Sequence, residues 1–87
     1  ISKSKVFYIV TNKKNDDIVR DFLISLPEVG ATVIDAEGGY SSDDQTLLLA
    51  VVPTREYFIV KEGLKEIDKD IFFLVCDSYE VSNNGDL

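Results

Sequence analysis

The chain has 87 residues and a formal net charge of −7, from 16 acidic and 9 basic side chains. This acidic balance argues against nucleic-acid binding, which needs positive charge to displace phosphate counterions. Hydrophobic residues make up 45% of the chain, which excludes a disordered tail. With no histidine and one cysteine, the chain cannot hold a Ser-His-Asp or Cys-His mechanism, and a structural zinc site is not expected. We expect no enzymatic activity, no metal and no cofactor.

The first third of the chain predicts a strand, a helix and a second strand. Residues 5–11 are β-branched and aromatic, as strands are. Asn15 is placed to cap the following helix, and two aspartates suit its first turn. Pro27 ends that helix, and Gly30 leads into a strand at residues 31–37. The apolar positions at helical spacing are Ile18, Val19, Phe22, Leu23 and Leu26.

A third strand and a second helix follow. Residues 46–52 predict the strand, and Pro53 ends it because proline lacks the N–H that a sheet ladder needs. Thr54 is placed to cap a helix that runs to about Ile67. Gly63 inside this helix costs about 1 kcal/mol relative to alanine, which suggests close helix packing there. The apolar stripe of this helix comprises Val60, Leu64 and Ile67.

A turn at residues 68–70 and a strand at residues 71–77 complete a β-α-β-β-α-β order. This order predicts an α+β, ferredoxin-like two-layer sandwich, with two helices on one face of a four-stranded antiparallel sheet. We expect one domain over residues 1–87, frayed at 1–4 and 82–87. A chain that begins at Ile1 and contains no methionine is expected to be a piece of a longer protein.

Three of the predicted strands are apolar on both faces, at residues 6–10, 47–52 and 71–76. A two-layer sandwich leaves one sheet face open, and strands there normally alternate apolar and polar residues. Monomeric soluble domains rarely expose an apolar patch of that size. We therefore expect a homo-oligomer formed through the uncovered face or a sheet edge, or else cover by a missing part of the parent protein.

The predicted topology gathers a candidate ligand site at the end of the sheet that holds the glycine hairpin. Exposed glycine amides can bind an anion, and the chain's adjacent basic pair falls at the same end. A small phosphorylated or carboxylated ligand is the corresponding hypothesis. The alternative is an ordinary turn that needs positive φ, and no GxxxxGK[ST] pattern is present. The candidate residues are Glu37, Gly38, Gly39, Tyr40, Lys13 and Lys14.

A second candidate lies at the opposite end of the predicted sheet. Arg55 with a carboxylate such as Asp77 is a possible anion-recognition pair, although the sequence favours a helix cap and a structural salt bridge of modest value. The residues of this secondary candidate are Thr54, Arg55, Asp77 and Tyr79.

Two further features have structural interpretations. The acidic cluster of Asp43 and Asp44, with Asp35 and Glu37 nearby, is favoured as a solvated hairpin tip over a divalent-cation site, since charge runs usually face water. Cys76 lies in an apolar run and is expected in the core, because reactivity needs an accessible, electropositive setting.

Five short segments of the chain, taken in order, carry a family resemblance. They are GATVI, EGGY, TRE, KEID and DSYEV, at residues 30–34, 37–40, 54–56, 65–68 and 77–81. The set resembles the soluble C-terminal domain of YitT-type bacterial integral membrane proteins, a domain of unknown function. Ala31 and Cys76 depart from the usual residues. The resemblance implies a module on the cytoplasmic side of the bacterial cell membrane, attached to a membrane-embedded region. It carries over no catalytic residue, and EGGY is its candidate functional element.

At the level of fold alone, the chain is also similar to small-molecule sensing modules of the PII and amino-acid-binding types. The sequence therefore predicts a cytoplasmic regulatory domain of a bacterial membrane protein that self-associates and senses a small anionic ligand. The alternative is a purely structural oligomerisation or docking domain without a ligand.

Overall fold

The computed structural model describes residues 3–38 and 44–78. Their order is strand, helix, strand, strand, helix, strand, as predicted, and no helix among them is long and apolar enough to cross a membrane. The expected fraying at residues 82–87 lies outside the described residues. The elements are β1 (Ser4–Asn12), α1 (Asp16–Ile24), β2 (Gly30–Glu37), β3 (Asp44–Pro53), a 3-10 turn (Thr54–Glu56), α2 (Tyr57–Ile67) and β4 (Phe72–Ser78).

The four strands form one antiparallel sheet in the order β2-β3-β1-β4, which confirms the ferredoxin-like α+β fold. β1 lies in the middle and pairs with both β3 and β4. Asn12 is opposite Gln45, at the end where β2 leads into the hairpin. Ser4 is opposite Pro53 on one side and Ser78 on the other. Asn12, Glu37 and Asp44 therefore lie at one end of the sheet, and Ser4, Pro53 and Ser78 lie at the other.

The core lies between the sheet and the two helices. Alternate residues of β1 and β3 point into it, because successive strand side chains face opposite ways. Burial of each large apolar side chain contributes roughly 1.5–3 kcal/mol. The fully buried apolar residues are Phe7, Ile9, Val19, Leu23, Leu48, Ala50, Val52, Val60 and Leu64.

The helix stripes are mostly as predicted. Val60 and Leu64 of α2 are buried, whereas in α1 the inward pair is Val19 and Leu23. Ile18 was expected on the core stripe, but it is 54% exposed. The reason is geometric: with Val19 and Leu23 pointing inward at a spacing of four residues, Ile18 lies one residue off that line.

The helices meet closely at Gly63 of α2. A Cβ added there would lie 2.1 Å from Cζ of Phe22 on α1, far inside normal contact. The predicted close packing at this glycine is confirmed.

Both predicted helix caps need correction. Asn15 is at the N-cap position of α1 but makes no side-chain capping bond, because its φ of −105° and ψ of −3° are helical. An N-cap normally has extended backbone, which aims its side chain at the first turn. Instead, Asn12 Oδ1 accepts a hydrogen bond from the Asn15 amide, at 2.9 Å. Thr54 opens the 3-10 turn, so α2 begins three residues later and its N-cap is Glu56.

Candidate functional site

The sheet face opposite the helices carries apolar side chains on all four strands. We call this surface the outer face. Strand alternation and the pairing register define it, since directly opposite residues share a face. Its members are Val6, Tyr8, Val10, Thr32, Ile34, Leu47, Leu49, Val51, Phe72, Leu74 and Cys76.

These side chains lie in rows across the sheet. Tyr8 is opposite Leu49 on one side and Leu74 on the other, and Thr32 extends that row to the edge. Large side chains of the outer face are open to solvent: Phe72 is 62% exposed, and Leu74 is 53% exposed. None of the outer-face residues is acidic or basic. The predicted apolar second face is therefore confirmed.

Cys76 belongs to this surface, so its predicted place in the core is wrong. The residue is opposite Val6, which faces outward, and its side chain is exposed. β4 is apolar on both faces, so hydrophobicity did not distinguish its inward residues, which are Phe73 and Val75, from its outward ones.

At the hairpin end, Lys13 already forms an ion pair with Asp35. Its Nζ donates a hydrogen bond to Asp35 Oδ1, and this contact raises the pKa of Lys13 above its ordinary value. Asp16 and Asp44 act in the same direction through their charges. An anion at this position must therefore compete with Asp35 and enter a field that holds several carboxylates.

The remaining hairpin candidates are only partly described. Lys14 and Glu37 are exposed, and Gly38 is half-buried after the end of β2. Gly39, Tyr40 and the acidic tip at Asp43 lie outside the described residues. In the described part of the chain, no three metal-ligating side chains gather to hold an ion.

Two buried threonines at the same end, Thr11 and Thr46, were not predicted from the sequence. Thr46 is fully buried, and its hydroxyl donates to Asp16 Oδ2 at 2.9 Å, which ties β3 to the start of α1. Thr11 is opposite Thr46 in the sheet and is 4% exposed, and its Oγ1 has no hydrogen-bond partner. The sequence feature that could have predicted these buried hydroxyls is a threonine at an inward position of each central strand, β1 and β3.

At the opposite end of the sheet, the secondary candidates have separate partners. Arg55 forms an ion pair with Glu28, whose positive φ of 63° lies in the turn before β2, and this contact raises the pKa of Arg55. Asp77 forms an ion pair with Lys5. Thr54 donates its amide hydrogen to the Lys3 carbonyl at 3.0 Å. Tyr79 lies outside the described residues. The arrangement fits the structural interpretation of this end.

Comparison with known proteins identifies relatives of the chain. A family model described as "Uncharacterized protein conserved in bacteria (DUF2179)" matches residues 29–83. The chain is 34% identical over 84 residues to "UPF0750 membrane protein YvjA" of Bacillus subtilis (strain 168), covering 97% of the chain and 29% of the relative. It is 32% identical over 76 residues to "UPF0750 membrane protein YpjC" of the same strain, covering 87% and 26%. The chain thus spans less than a third of these membrane proteins.

Solved structures share the fold. A DUF2179 protein from Eubacterium ventriosum has a TM-score of 0.64 at 27% identity, covering 84% of this chain and 97% of that one. A functionally unknown protein from Pediococcus pentosaceus reaches 0.83 at 15% identity, covering 95% and 99%. CPII, a nitrogen regulatory PII-like protein from Thiomonas intermedia K12 bound to ADP, AMP and bicarbonate, reaches 0.74 at 16% identity, covering 92% and 94%. The last two likenesses concern the fold alone.

Proposed function

Because the chain belongs to the DUF2179 family of uncharacterised bacterial proteins, and its relatives YvjA and YpjC are membrane proteins, we propose that it is the cytoplasmic regulatory domain of a bacterial membrane protein. In this proposal copies of the domain associate with one another. A small anionic ligand at the hairpin end then adjusts that association. The domain itself carries out no catalysis.

The observation that carries the proposal is the outer face. A charge-free apolar surface across a whole sheet is comparable to the largest apolar patches on monomers, which often mark a site of interaction. In a protein anchored in a membrane, association between such domains brings the membrane-embedded regions of several copies together. That coupling is a physical route to regulation.

Two observations support an anionic ligand. Lys13 and Lys14 are exposed beside the first turn of α1, where a helix presents unpaired amides. The PII-like neighbour CPII is bound to ADP, AMP and bicarbonate, which are anions, on a similar fold. Because Lys13 already donates to Asp35, an anion bound here must share the ammonium group with that carboxylate or displace it.

A thermal-shift screen of nucleotides, phosphate, bicarbonate and carboxylated metabolites tests the ligand. A compound present at 100 times its Kd stabilises the folded domain by about 2.7 kcal/mol. For a domain of this size each kcal/mol corresponds to roughly 4–8 °C in Tm. The shift should disappear in a Lys13→Gln, Lys14→Gln variant. It should persist in Lys65→Gln, which removes an exposed lysine from α2.

The alternative function is a structural oligomerisation or docking domain without a ligand. The Lys13–Asp35 ion pair favours this alternative, because the lysine that would bind an anion at the hairpin end already pairs with a carboxylate. A screen in which no anion shifts the Tm, on a protein that still associates, would replace the sensing proposal with this one.

A further inference from the structure

We propose that the outer face is the contact surface between copies of this chain, packed sheet on sheet, and that the sheet edges are not. The inference rests on the self-association in the proposed function and goes further by naming the surface. It follows from the distribution of charge, from the area of the face and from the residues that surround it.

Charge separates the face from the edges. The chain carries a net charge of −7, so two copies repel each other wherever acidic surfaces meet. The edge strand β2 bears exposed Glu37 and the Asp35 of the Lys13–Asp35 ion pair, and the other edge strand, β4, bears the Asp77 of the Lys5–Asp77 ion pair. Charged side chains on an edge strand oppose pairing with another chain. The outer face has no charged side chain, so it is where two like-charged copies can meet at least cost.

The side chains of the outer face suit sheet packing. Leucine, isoleucine and valine predominate, and two such faces interdigitate when sheets pack about 10 Å apart. Two side chains bring polar groups, Tyr8 and Thr32, and they share one row. Tyr8 is 40% exposed, and an aromatic ring with a hydroxyl is typical of protein interfaces.

The area indicates how strong the contact is. Each outward residue occupies about 4.8 Å across the strands and about 6.6 Å along them. Three rows across the four strands therefore cover roughly 380 Å² in projection, and somewhat more as accessible surface. That falls in the range of about 300–600 Å² for the largest patches on monomers. It is below the roughly 800 Å² per partner of a standard interface. The free domain should therefore associate weakly, and copies held in one membrane should associate more because their effective concentration is higher.

A lipid surface is the competing occupant, and the charges disfavour it. Segments that lie on a membrane combine apolar side chains with lysine and arginine, which bind anionic headgroups. Here the acidic residues outnumber the basic ones by 16 to 9, and both edges beside the outer face carry carboxylates. A second copy avoids this conflict because only uncharged surfaces meet.

The decisive variant is Leu49→Glu. Leu49 is at the middle of the outer face, between Tyr8 and Thr32, and it belongs to the interior strand β3. A carboxylate there would be buried against an apolar partner in a face-to-face contact, whereas an edge-to-edge contact would not touch it. Ile59→Glu is the matched control, because it makes the same change at an exposed apolar position of α2, 53% exposed.

Light-scattering mass and sedimentation, measured from about 10 µM to about 1 mM, cover the affinity expected of a small interface. We expect the wild-type mass to rise towards two or more chains and Ile59→Glu to follow it. Leu49→Glu should remain at the mass of one chain, which corresponds to at least about a tenfold weaker association. Circular dichroism establishes that each variant is folded. If Leu49→Glu does not fold, Tyr8→Glu, at a 40% exposed outer position of the interior strand β1, replaces it.

Cys76 supplies a second readout, since its exposed thiol lies on the outer face. Its rate of modification by a maleimide should fall with protein concentration in the wild type and in Ile59→Glu, and stay constant in Leu49→Glu.

Three outcomes would overturn the inference. They are a single-chain mass with constant thiol reactivity at every wild-type concentration, association that survives Leu49→Glu, and binding to phosphatidylcholine–phosphatidylglycerol vesicles without self-association. The second outcome leaves self-association through an edge intact. If the protein is monomeric but an anion still shifts its Tm, the proposed contact surface is wrong and the proposed ligand stands. The two proposals therefore fail separately.

Discussion

Substituting Gly63 by alanine tests whether the two helices lie this close only because residue 63 has no side chain. A Cβ at this position would lie 2.1 Å from Phe22 Cζ and 2.6 and 2.7 Å from Cε1 and Cε2. Carbon atoms in good contact are about 3.5–4.0 Å apart, so the ring would have to move by more than about 1 Å. The ring packs against the buried core, which limits that movement.

Two opposing terms set the size of the effect. Alanine is favoured over glycine inside a helix by about 1 kcal/mol. Overpacking of this kind costs typically about 1–3 kcal/mol. We expect Gly63→Ala to destabilise the domain by about 1 kcal/mol, which is a fall in Tm of roughly 4–8 °C.

The double variant isolates the contact. Phe22→Leu removes the ring atoms that a Cβ at Gly63 would meet. In that background Gly63→Ala should stabilise the domain by up to about 1 kcal/mol, so the coupling between the two positions is about 2 kcal/mol. Urea denaturation followed by circular dichroism measures all four proteins. The reasoning is refuted if Gly63→Ala raises stability in the wild-type background, or if its effect is the same in both.

Four further predictions concern single side chains. Thr11→Val should stabilise the domain by about 1 kcal/mol in urea denaturation, because it replaces a buried hydroxyl that has no partner. Thr46→Val should destabilise the domain by about 1–2 kcal/mol, because the substitution removes the hydroxyl that donates to Asp16. The two threonine substitutions should therefore change the free energy of unfolding in opposite directions. Asp35 raises the pKa of Lys13 above 10.5, so the stability from this ion pair is complete below that pH and lost as pH rises through the folded-state value. The Tm of Lys13→Gln should therefore be lower than that of the wild type at pH 7, and the difference should shrink as the pH rises through the pKa of Lys13 in the folded state; a difference that does not change with pH would contradict the assignment. Ile18→Ser should change the free energy of unfolding by less than about 0.5 kcal/mol, since the Ile18 side chain is 54% exposed. A larger loss would show that Ile18 packs in the core after all.

The fold was predictable because local patterns and chain order agree. The β-branched runs, the helical spacing and the positions of Pro27 and Pro53 place each element to within a few residues of its observed bounds. The caps were less predictable. A 3-10 turn after Pro53 and an Asn12 side chain that bonds the Asn15 amide are alternatives that composition does not distinguish from ordinary capping.

The candidate site was predictable only as a location. The sequence placed the lysine pair and the glycine hairpin at one end of the sheet, and the registers of β1 and β2 with β3 put Asn12 and Glu37, the strand residues before them, at one end. It did not predict that Lys13 pairs with Asp35, 22 residues away, or that Arg55 pairs with Glu28, 27 residues away. Such contacts depend on how neighbouring strands and turns are aligned, and sequence spacing carries no information about that.

The sequence by itself determined the order of the elements, the acidic charge and the presence of more apolar strand surface than two helices can cover. Only the tertiary structure decided which side chains form the core and which form the outer face. A strand that alternates apolar and polar residues shows its inward side by that alternation, but β3 and β4 are apolar on both faces, so their pattern carries no such signal. The pairing of both β3 and β4 with the central strand β1 decided it, and this pairing put Leu48 in the core and Cys76 on the outer face.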